Sequence, residues 1–168
     1  MTTQTVFHTL PPVIDPDSRV LILGSIPSPR SREAGFYYSH PQNRFWPLMA
    51  ALFDEPVPPD LSSRRQFLHR HRIALWDVLA RCDIAGADDG SIRNPVANPI
   101  EELLQKAEIR AVFTTGSRAA ALYRRYCQPR TGREALPLPS PSPANCRYHT
   151  FDSLLQNYRR ILPFLAET

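Results

Sequence analysis

The sequence is poor in lysine and cysteine, and these shortages exclude several kinds of chemistry. Of its 20 lysine and arginine residues only Lys106 is a lysine, and its neighbours predict the outer face of a helix. A Schiff base formed through a lysine amine is therefore not expected. Cys82, Cys127 and Cys146 are odd in number and widely spaced, which favours reduced thiols in a cytoplasmic protein. These 3 cysteines also cannot supply the thiolates that hold an iron–sulfur cluster.

Long apolar runs and glycine-rich loops are missing too. No apolar run approaches the roughly 20 residues that span a bilayer, and the first residues lack the basic-then-apolar pattern of an export signal. None of the 6 glycines follows Gly24 at dinucleotide-binding spacing, which excludes that use of the loop after it. We expect no membrane partner, no metal and no cofactor, and the 168 residues fit a single domain over 1–168.

The net charge is mildly positive, and nearly all of the positive charge is arginine. A formal charge of +4 and a pI near 9.2 favour an anionic partner. The planar guanidinium binds phosphate in bidentate fashion, which suits a nucleic-acid surface. A high-GC genome, which enriches arginine codons, is the alternative explanation of the bias.

Apolar periodicity predicts the fold class. Near-continuous apolar runs predict buried strands at 19–24, 73–79, 109–115 and 135–138. The segments between them predict helices at 44–53, 61–71, from Asn98 onward and at 118–127. A C-terminal helix is predicted with Leu154, Leu155, Tyr158, Ile161 and Leu162 on its inner stripe. This alternation predicts an α/β fold, a three-layer α/β/α sandwich with a short, mostly parallel four-stranded sheet. The proline-broken residues 1–18 predict an irregular lead-in.

Individual residues predict where some of these helices begin and which way they face. Asn98, followed by proline and then glutamate, predicts an N-terminal cap, and Ser117 predicts another. In the helix at 61–71 we expect Leu61, Phe67 and Leu68 to face inward.

The densest chemistry lies directly after the first predicted buried strand. Residues 24–28 read Gly-Ser-Ile-Pro-Ser, and residues 35–46 read Gly-Phe-Tyr-Tyr-Ser-His-Pro-Gln-Asn-Arg-Phe-Trp. A strand that leads into such a loop places it at the carboxyl end of a sheet, where open α/β proteins keep their sites. So many polar-tipped rings predict a pocket for a flat ligand.

Three segments resemble motifs of the uracil-DNA glycosylase superfamily. Residues 24–27 and 35–46 match the Gly-x-x-Pro and Gly-Phe-x-Phe-x-His-Pro-x-Asn-Arg-Phe-Trp motifs of the mismatch-specific uracil glycosylases. Residues 138–145, Leu-Pro-Ser-Pro-Ser-Pro-Ala-Asn, match a motif of the hypoxanthine-DNA glycosylases, which also share Gly-Ser-x-Pro-Ser and Tyr-Tyr-x-His-Pro-x-Asn-x-Phe-Trp. The resemblance implies the same fold of four parallel strands.

Asn43 is the catalytic residue that the resemblance implies. In the hypoxanthine branch the asparagine of His-Pro-x-Asn is critical, and here it would orient the water that attacks C1′. The mismatch-specific enzymes use an asparagine at the position that Ile26 occupies in this chain. The alternative is that Asn43 only caps the helix at 44–53.

The flipped base is expected to contact a separate set of residues. The predicted base-binding residues are Gly24, Ser25, Ile26, Tyr38, His40 and Asp77. The first three would receive the charge of the departing base through backbone N–H groups. Tyr38 matches a phenylalanine that stacks on the base in the family. His40 would contact the base or a phosphate, or form a local hydrogen bond, and Asp77 would accept the N1–H of hypoxanthine or act as a buried cap.

The late proline-rich loop is expected to contact DNA. The predicted DNA-binding residues are Ser28, Ser140, Pro141, Ser142, Asn145 and Arg147. In the superfamily the loop here enters the minor groove beside the flipped nucleotide. Uracil enzymes carry a catalytic histidine at the head of this loop, where this chain has Leu138. A plain surface turn is the alternative.

Together these observations predict a monomeric, monofunctional DNA glycosylase that flips out a deaminated base and leaves an abasic site. Hypoxanthine is the first substrate hypothesis, and a uracil or mismatch-specific enzyme is the second. A catalytically silent nucleic-acid-binding module and a nucleotide-binding enzyme unrelated to repair remain alternatives from other classes.

Overall fold

Residues 2–166, which the computed structural model describes, form two β-sheets flanked by helices. The strands are β1 Thr3–Phe7, β2 Val20–Gly24, β3 Ile73–Asp77, β4 Leu79–Ala85, β5 Asp88–Ala97, β6 Ala111–Thr115 and β7 Ala135–Leu138. The helices are α1 Pro29–Ala34, α2 Phe45–Phe53, α3 Leu61–Arg70, α4 Ile100–Leu103, α5 Ser117–Tyr126, α6 Gln128–Thr131, α7 Phe151–Tyr158 and α8 Leu162–Leu165. Short 3₁₀ turns lie at Pro143–Asn145 and Arg159–Ile161.

The central sheet is parallel and has the strand order β3-β2-β6-β7, which confirms the predicted four-stranded α/β fold. Every residue of β2 and β6 is buried, as expected for apolar strands that are covered on both faces. Ile22 and Phe113 pack against α2, α3 and α7 on one face. Leu21 and Val112 face the other side, where α4, α5 and the second sheet cover them.

The second sheet corrects two sequence predictions. Residues 1–18 are not irregular throughout, because β1 pairs antiparallel with β4, and the sheet order is β1-β4-β5. The strand predicted at 73–79 ends at Asp77, and Leu79 already begins β4. Four of the five residues of β1 are exposed, and β5 is largely polar, so neither strand has the apolar run of a buried strand.

The predicted limits of the helices agree with the structure more often than the predicted caps and side-chain orientations do. α2 and α3 begin or end within one residue of the predicted limits. Leu61 is 44% exposed, so its predicted inward orientation is wrong. Asn98 does not cap a helix, because its side chain donates to the backbone oxygens of Asp77 and Leu79. Ser117 is the first residue of α5 rather than its cap, a position that Gly116 takes.

The C-terminal stripe is buried in part and spans more than one helix. Leu154, Tyr158 and Ile161 are fully buried, whereas Leu155 and Leu162 are half-buried. A 3₁₀ turn separates α7 from α8. Among residues 2–166 no helix is long and apolar enough to cross a membrane.

Candidate active site

A cavity of about 550 Å³ opens at the carboxyl ends of β2, β3 and β6. The loop at 140–145, the β4–β5 turn at 86–87 and the first residues of β5 at 88–90 complete its lining. Of the residues predicted to form the site, those that line the cavity are Gly24, Ser25, Ile26, Ser28, Tyr38, His40, Asn43, Asp77, Ser140, Pro141, Ser142 and Asn145. Arg147 is exposed and lies outside the lining. The cavity therefore brings together three segments that are far apart in the sequence.

Gly24 and Asp77 are paired at the ends of β2 and β3. A Cβ atom at Gly24 would lie 2.5 Å from Oδ1 of Asp77, a distance that no side chain tolerates. The same Cβ would lie 3.6 Å from the hydroxyl of Tyr38 and from Oγ1 of Thr115. Only glycine therefore lets the carboxylate lie across the end of the neighbouring strand.

Two carboxyl groups with different partners reach this cavity. Oδ2 of Asp77 lies 2.8 Å from Nε2 of His8, and both side chains are almost completely buried. Ser25 Oγ donates to Oδ2 of Asp89 over 3.0 Å. Burial raises the pKa of Asp89, and the nearby negative charge of Asp77 raises it further. One carboxyl group thus has an imidazole partner, whereas the other has a hydroxyl partner.

Tyr38 lies in a left-handed conformation with φ of 54°, which is strained for a residue with a side chain. Its ring stacks on Phe45, with centroids 4.0 Å apart and planes tilted by 10°. The hydroxyl lies 3.3 Å from Oγ1 of Thr115. Burial and the charge of Asp77 raise the pKa of Tyr38, so the phenol stays protonated. A flipped base could stack only on the ring face opposite Phe45.

Asn43 lies one residue before the N-cap of α2, which is Arg44, and its side chain satisfies the N–H of the first helical residue. Its Oδ1 accepts a hydrogen bond from the backbone N–H of Phe45 over 2.9 Å, and its own N–H donates to the carbonyl of His40. Its Nδ2 forms no hydrogen bond with any described residue, and the side chain lines the cavity. The hydrogen bond from Phe45 orients the amide and leaves its donor end free.

His40 forms the local hydrogen bond that the alternative reading predicts. Its Nδ1 accepts from the backbone N–H of Gln42 over 3.1 Å. Ser28 also has a local role, since its hydroxyl accepts from the N–H of Ser31 and caps α1. Ile26 is only 8% exposed and packs in the core, so it can contribute to the site mainly through its backbone.

The loop at 138–149 is held in shape by its own polar groups. Ser140 Oγ accepts from the N–H of Ser142, and the Asn145 side-chain amide donates to the carbonyl of Ser140 over 2.9 Å. Arg44 joins the loop to α2, because its backbone N–H donates to Pro141 and its guanidinium donates to the carbonyl of His149. Any phosphate contact would therefore use a preformed loop.

His8, Asp89 and Thr115 were missed by sequence reasoning. His8 follows the polar, β-branched segment Thr-Gln-Thr-Val-Phe, whose strand character shows only in its composition. Asp89 lies in Asp-Asp-Gly, turn-type residues that could have indicated a hairpin but that form the start of β5, just after the turn at 86–87. Neither signal could show that these residues reach the ends of β2 and β3.

Comparisons with known proteins agree with this geometry. The family model of the uracil DNA glycosylase superfamily matches residues 11–165. A hypoxanthine DNA glycosylase of Methanosarcina barkeri is 33% identical over 111 residues, which cover 65% of this chain and 70% of that protein. A hypoxanthine DNA glycosylase of Methanosarcina acetivorans is 31% identical over 140 residues, 82% of this chain and 87% of that protein.

A solved structure is similar along nearly the whole chain. It is a solution NMR structure of a candidate uracil DNA glycosylase from Methanosarcina acetivorans. The TM-score is 0.78 at 28% sequence identity, and the match covers 95% of this chain and 99% of the other.

Proposed function

Because the chain belongs to the uracil DNA glycosylase superfamily and is a DNA glycosylase, we propose that it removes hypoxanthine from DNA. The observation that carries the proposal is the buried carboxylate of Asp77 in a cavity that also holds Tyr38 and Asn43. Both relatives from Methanosarcina are hypoxanthine DNA glycosylases by name, which supports the same substrate.

Asp77 is the residue we assign to base recognition. Hypoxanthine presents an N1–H donor, which a carboxylate accepts, whereas adenine presents an unprotonated N1 that a carboxylate would repel. The His8 contact fixes the Asp77 side chain, and Gly24 leaves room for it. A site that hydrogen-bonds its substrate rejects an analogue lacking the donor, because the buried partner is then left unpaired. This argument separates hypoxanthine from the adenine it derives from.

Stacking and size also fit a purine. Tyr38 lines the cavity, and a base stacked on the ring face opposite Phe45 would gain roughly 1–3 kcal/mol. The cavity volume of about 550 Å³ lies within the ordinary range of small-molecule sites. Extrusion of the nucleotide into such a pocket costs a few kcal/mol, and least at a mismatched base.

Bond cleavage is assigned to Asn43 and the backbone after β2. The Asn43 amide orients a water toward C1′ while the C1′–N9 bond breaks and its electron pair moves to the base. The backbone N–H groups of Ser25 and Ile26 donate to no acceptor within residues 2–166. They are therefore available to the electron-rich departing base, as in an oxyanion hole.

The proposed product is an intact strand with an abasic site. Lys106, the single lysine, is exposed and is not among the residues that line the cavity. A Schiff-base step is therefore excluded from the proposal, and borohydride should trap no covalent adduct.

Leu138 argues against a uracil enzyme that depends on a histidine at this position. Its side chain is 2% exposed and belongs to the core, so it offers no polar group to the departing base. Hypoxanthine therefore precedes uracil as the proposed substrate.

One panel of duplexes tests the proposal. Matched duplexes that carry hypoxanthine, uracil, xanthine or a thymine mismatch are incubated with excess protein, and alkali then cleaves abasic sites. We expect hypoxanthine to be excised fastest. Faster excision of uracil would support the mismatch-type alternative, and binding without any excision would support a silent module.

A further inference from the structure

The start of β5 brings a second carboxyl group into the cavity, and the proposed recognition and water activation do not use it. Asp89 lines the cavity together with Asn43 and Asp77. Ser25 Oγ donates to its Oδ2 over 3.0 Å, and its Oδ1 forms no hydrogen bond with any described residue. The free oxygen is therefore available to a ligand.

The surroundings of Asp89 raise its pKa above the ordinary value for aspartate. The side chain is half-buried, and burial is the main cause of the increase. The carboxylates of Asp77 on β3 and of the neighbouring Asp88 on β5 act in the same direction. The hydrogen bond from Ser25 and the charge of Arg118 on α5 act in the opposite direction, and the Arg118 guanidinium also donates to the backbone oxygen of Ile92. The thiol of Cys82 on β4 is also nearby, and burial raises its pKa to about 11, so it carries no charge at neutral pH.

Asp77 and Asp89 thus place two carboxyl groups with different partners in one cavity. The imidazole of His8 contacts Asp77, whereas Asp89 accepts from the hydroxyl of Ser25. Two carboxyl groups in different environments are a usual arrangement for acid and base roles in one site.

A purine can use such a donor, whereas a pyrimidine cannot do so in the same way. The imidazole ring of hypoxanthine carries a basic N7, and uracil has no equivalent atom. Protonation at N7 would let the base depart neutral rather than as an anion. General acids of this kind contribute about 100-fold or more to a rate.

We propose that Asp89 is the general acid that protonates N7 of the departing hypoxanthine. The proton moves from Asp89 to N7 while the C1′–N9 bond breaks and its electron pair enters the purine. Water then bonds to C1′ and releases a proton to solvent, and the Asp89 carboxylate regains a proton from solvent. This inference rests on the proposed hypoxanthine activity and adds the reason that a purine is favoured.

Asp89→Asn tests the role, because asparagine keeps the size and can accept from Ser25 but cannot transfer a proton. The measurement is single-turnover excision of hypoxanthine across pH, at equal concentrations of folded protein. The wild-type rate should fall as pH rises and Asp89 ionises. Asp89→Asn should be about 100-fold slower at low pH and should lose this alkaline decline.

Two further variants keep the test decisive. Asp83→Asn removes the same charge from the same hairpin, where Asp83 bonds Thr5 and Asn94 away from the cavity. It should retain both the rate and the pH profile. Asp89→Glu should retain the alkaline decline and part of the rate, because it keeps an ionisable acid.

The outcomes separate this inference from the proposed function. Hypoxanthine excision by Asp89→Asn with a wild-type rate, or with an unchanged alkaline decline, would overturn the role of Asp89 and leave the substrate proposal intact. Wild-type protein that excises no hypoxanthine would overturn both. Where uracil is also excised, Asp89→Asn should slow hypoxanthine far more than uracil, and equal slowing would contradict proton transfer to N7.

Discussion

Nε2 of His8 lies 2.8 Å from Oδ2 of Asp77, and this contact joins the two sheets at the cavity. His8 directly follows β1 of the antiparallel sheet, and Asp77 ends β3 of the parallel sheet. The exposed fractions of the two side chains are 2% and 6%, so the pair is shielded from water. The second sheet therefore positions a residue of the site as well as covering the core.

His8→Ala should slow hypoxanthine excision and lower stability, because it leaves a buried carboxylate without its partner. A loss of about 1–3 kcal/mol in the free energy of unfolding is the usual scale. Excision by His8→Ala, Asp77→Asn and the double variant should depart from additivity by about 0.5–3 kcal/mol. Thr5→Ala, on the adjoining strand β1 and bonded to Asp83 rather than to Asp77, is the control and should stay active. Additive effects would show that His8 does not act through Asp77.

Gly24→Ala should lower stability and excision together. The new Cβ would meet Oδ1 of Asp77 at 2.5 Å, and the His8 contact restrains that carboxylate from moving away. Overpacking of this kind costs about 1–3 kcal/mol. Chemical denaturation measures the loss, and Asp77→Ala provides a background in which the clash is absent. An equal cost in that background would refute the steric explanation.

Asp89→Asn should stabilise the protein most at high pH. Burial raises the folded-state pKa of Asp89 above its unfolded value, so its contribution to stability is present at low pH and is lost as pH rises through the folded-state pKa. Asparagine removes the cost of the buried charge. Urea denaturation at about pH 4 and about pH 8 should show a larger gain at the higher pH. A gain that does not change with pH would contradict the raised pKa.

The central sheet and the site motifs were accessible from the sequence because their signals are local. Buried strands such as β2 and β6 are apolar at nearly every position. The motifs at 24–28, 35–46 and 138–145 resemble those of a family that the comparisons then confirm. The apolar strands and the motifs can both be recognised without knowing which segments of the chain contact one another in the fold.

The second sheet could not be predicted because its strands lack such a signal. β1 exposes four of its five residues, and β5 contains Asp88, Gly90, Arg93 and Pro95. Their pairing with β4 depends on contacts between residues that are distant in sequence, such as Thr5 with Asp83. His8 directly follows β1, and Asp89 lies near the start of β5. Because the sheet could not be predicted, the positions of these two residues in the site could not be predicted either.

Arg147→Ala should weaken binding to every duplex by a similar factor, because phosphate contacts position a protein without reading sequence. The slope of log affinity against log salt should fall by about 1. Arg125→Ala is a matched control. α5 begins next to Gly116, which lies against Ser140 of the cavity loop, whereas Arg125 lies near the opposite end of the helix. Fluorescence anisotropy at several salt concentrations measures the affinity and its salt dependence for each variant. A loss confined to hypoxanthine duplexes would show that Arg147 reads the base.

The most direct test of the account is single-turnover excision of hypoxanthine from a duplex by wild-type protein, Asn43→Ala and Asn43→Ser. Because the Asn43 side chain accepts from the N–H of Phe45, the first residue of α2, alanine should cost about 1 kcal/mol of stability, and serine should restore much of it. Neither variant retains the amide, so both should excise about 100-fold more slowly than wild type at equal concentrations of folded protein. Wild-type excision with this loss in both variants is the predicted result. A destabilised Asn43→Ala that excises hypoxanthine at the wild-type rate would contradict the catalytic assignment.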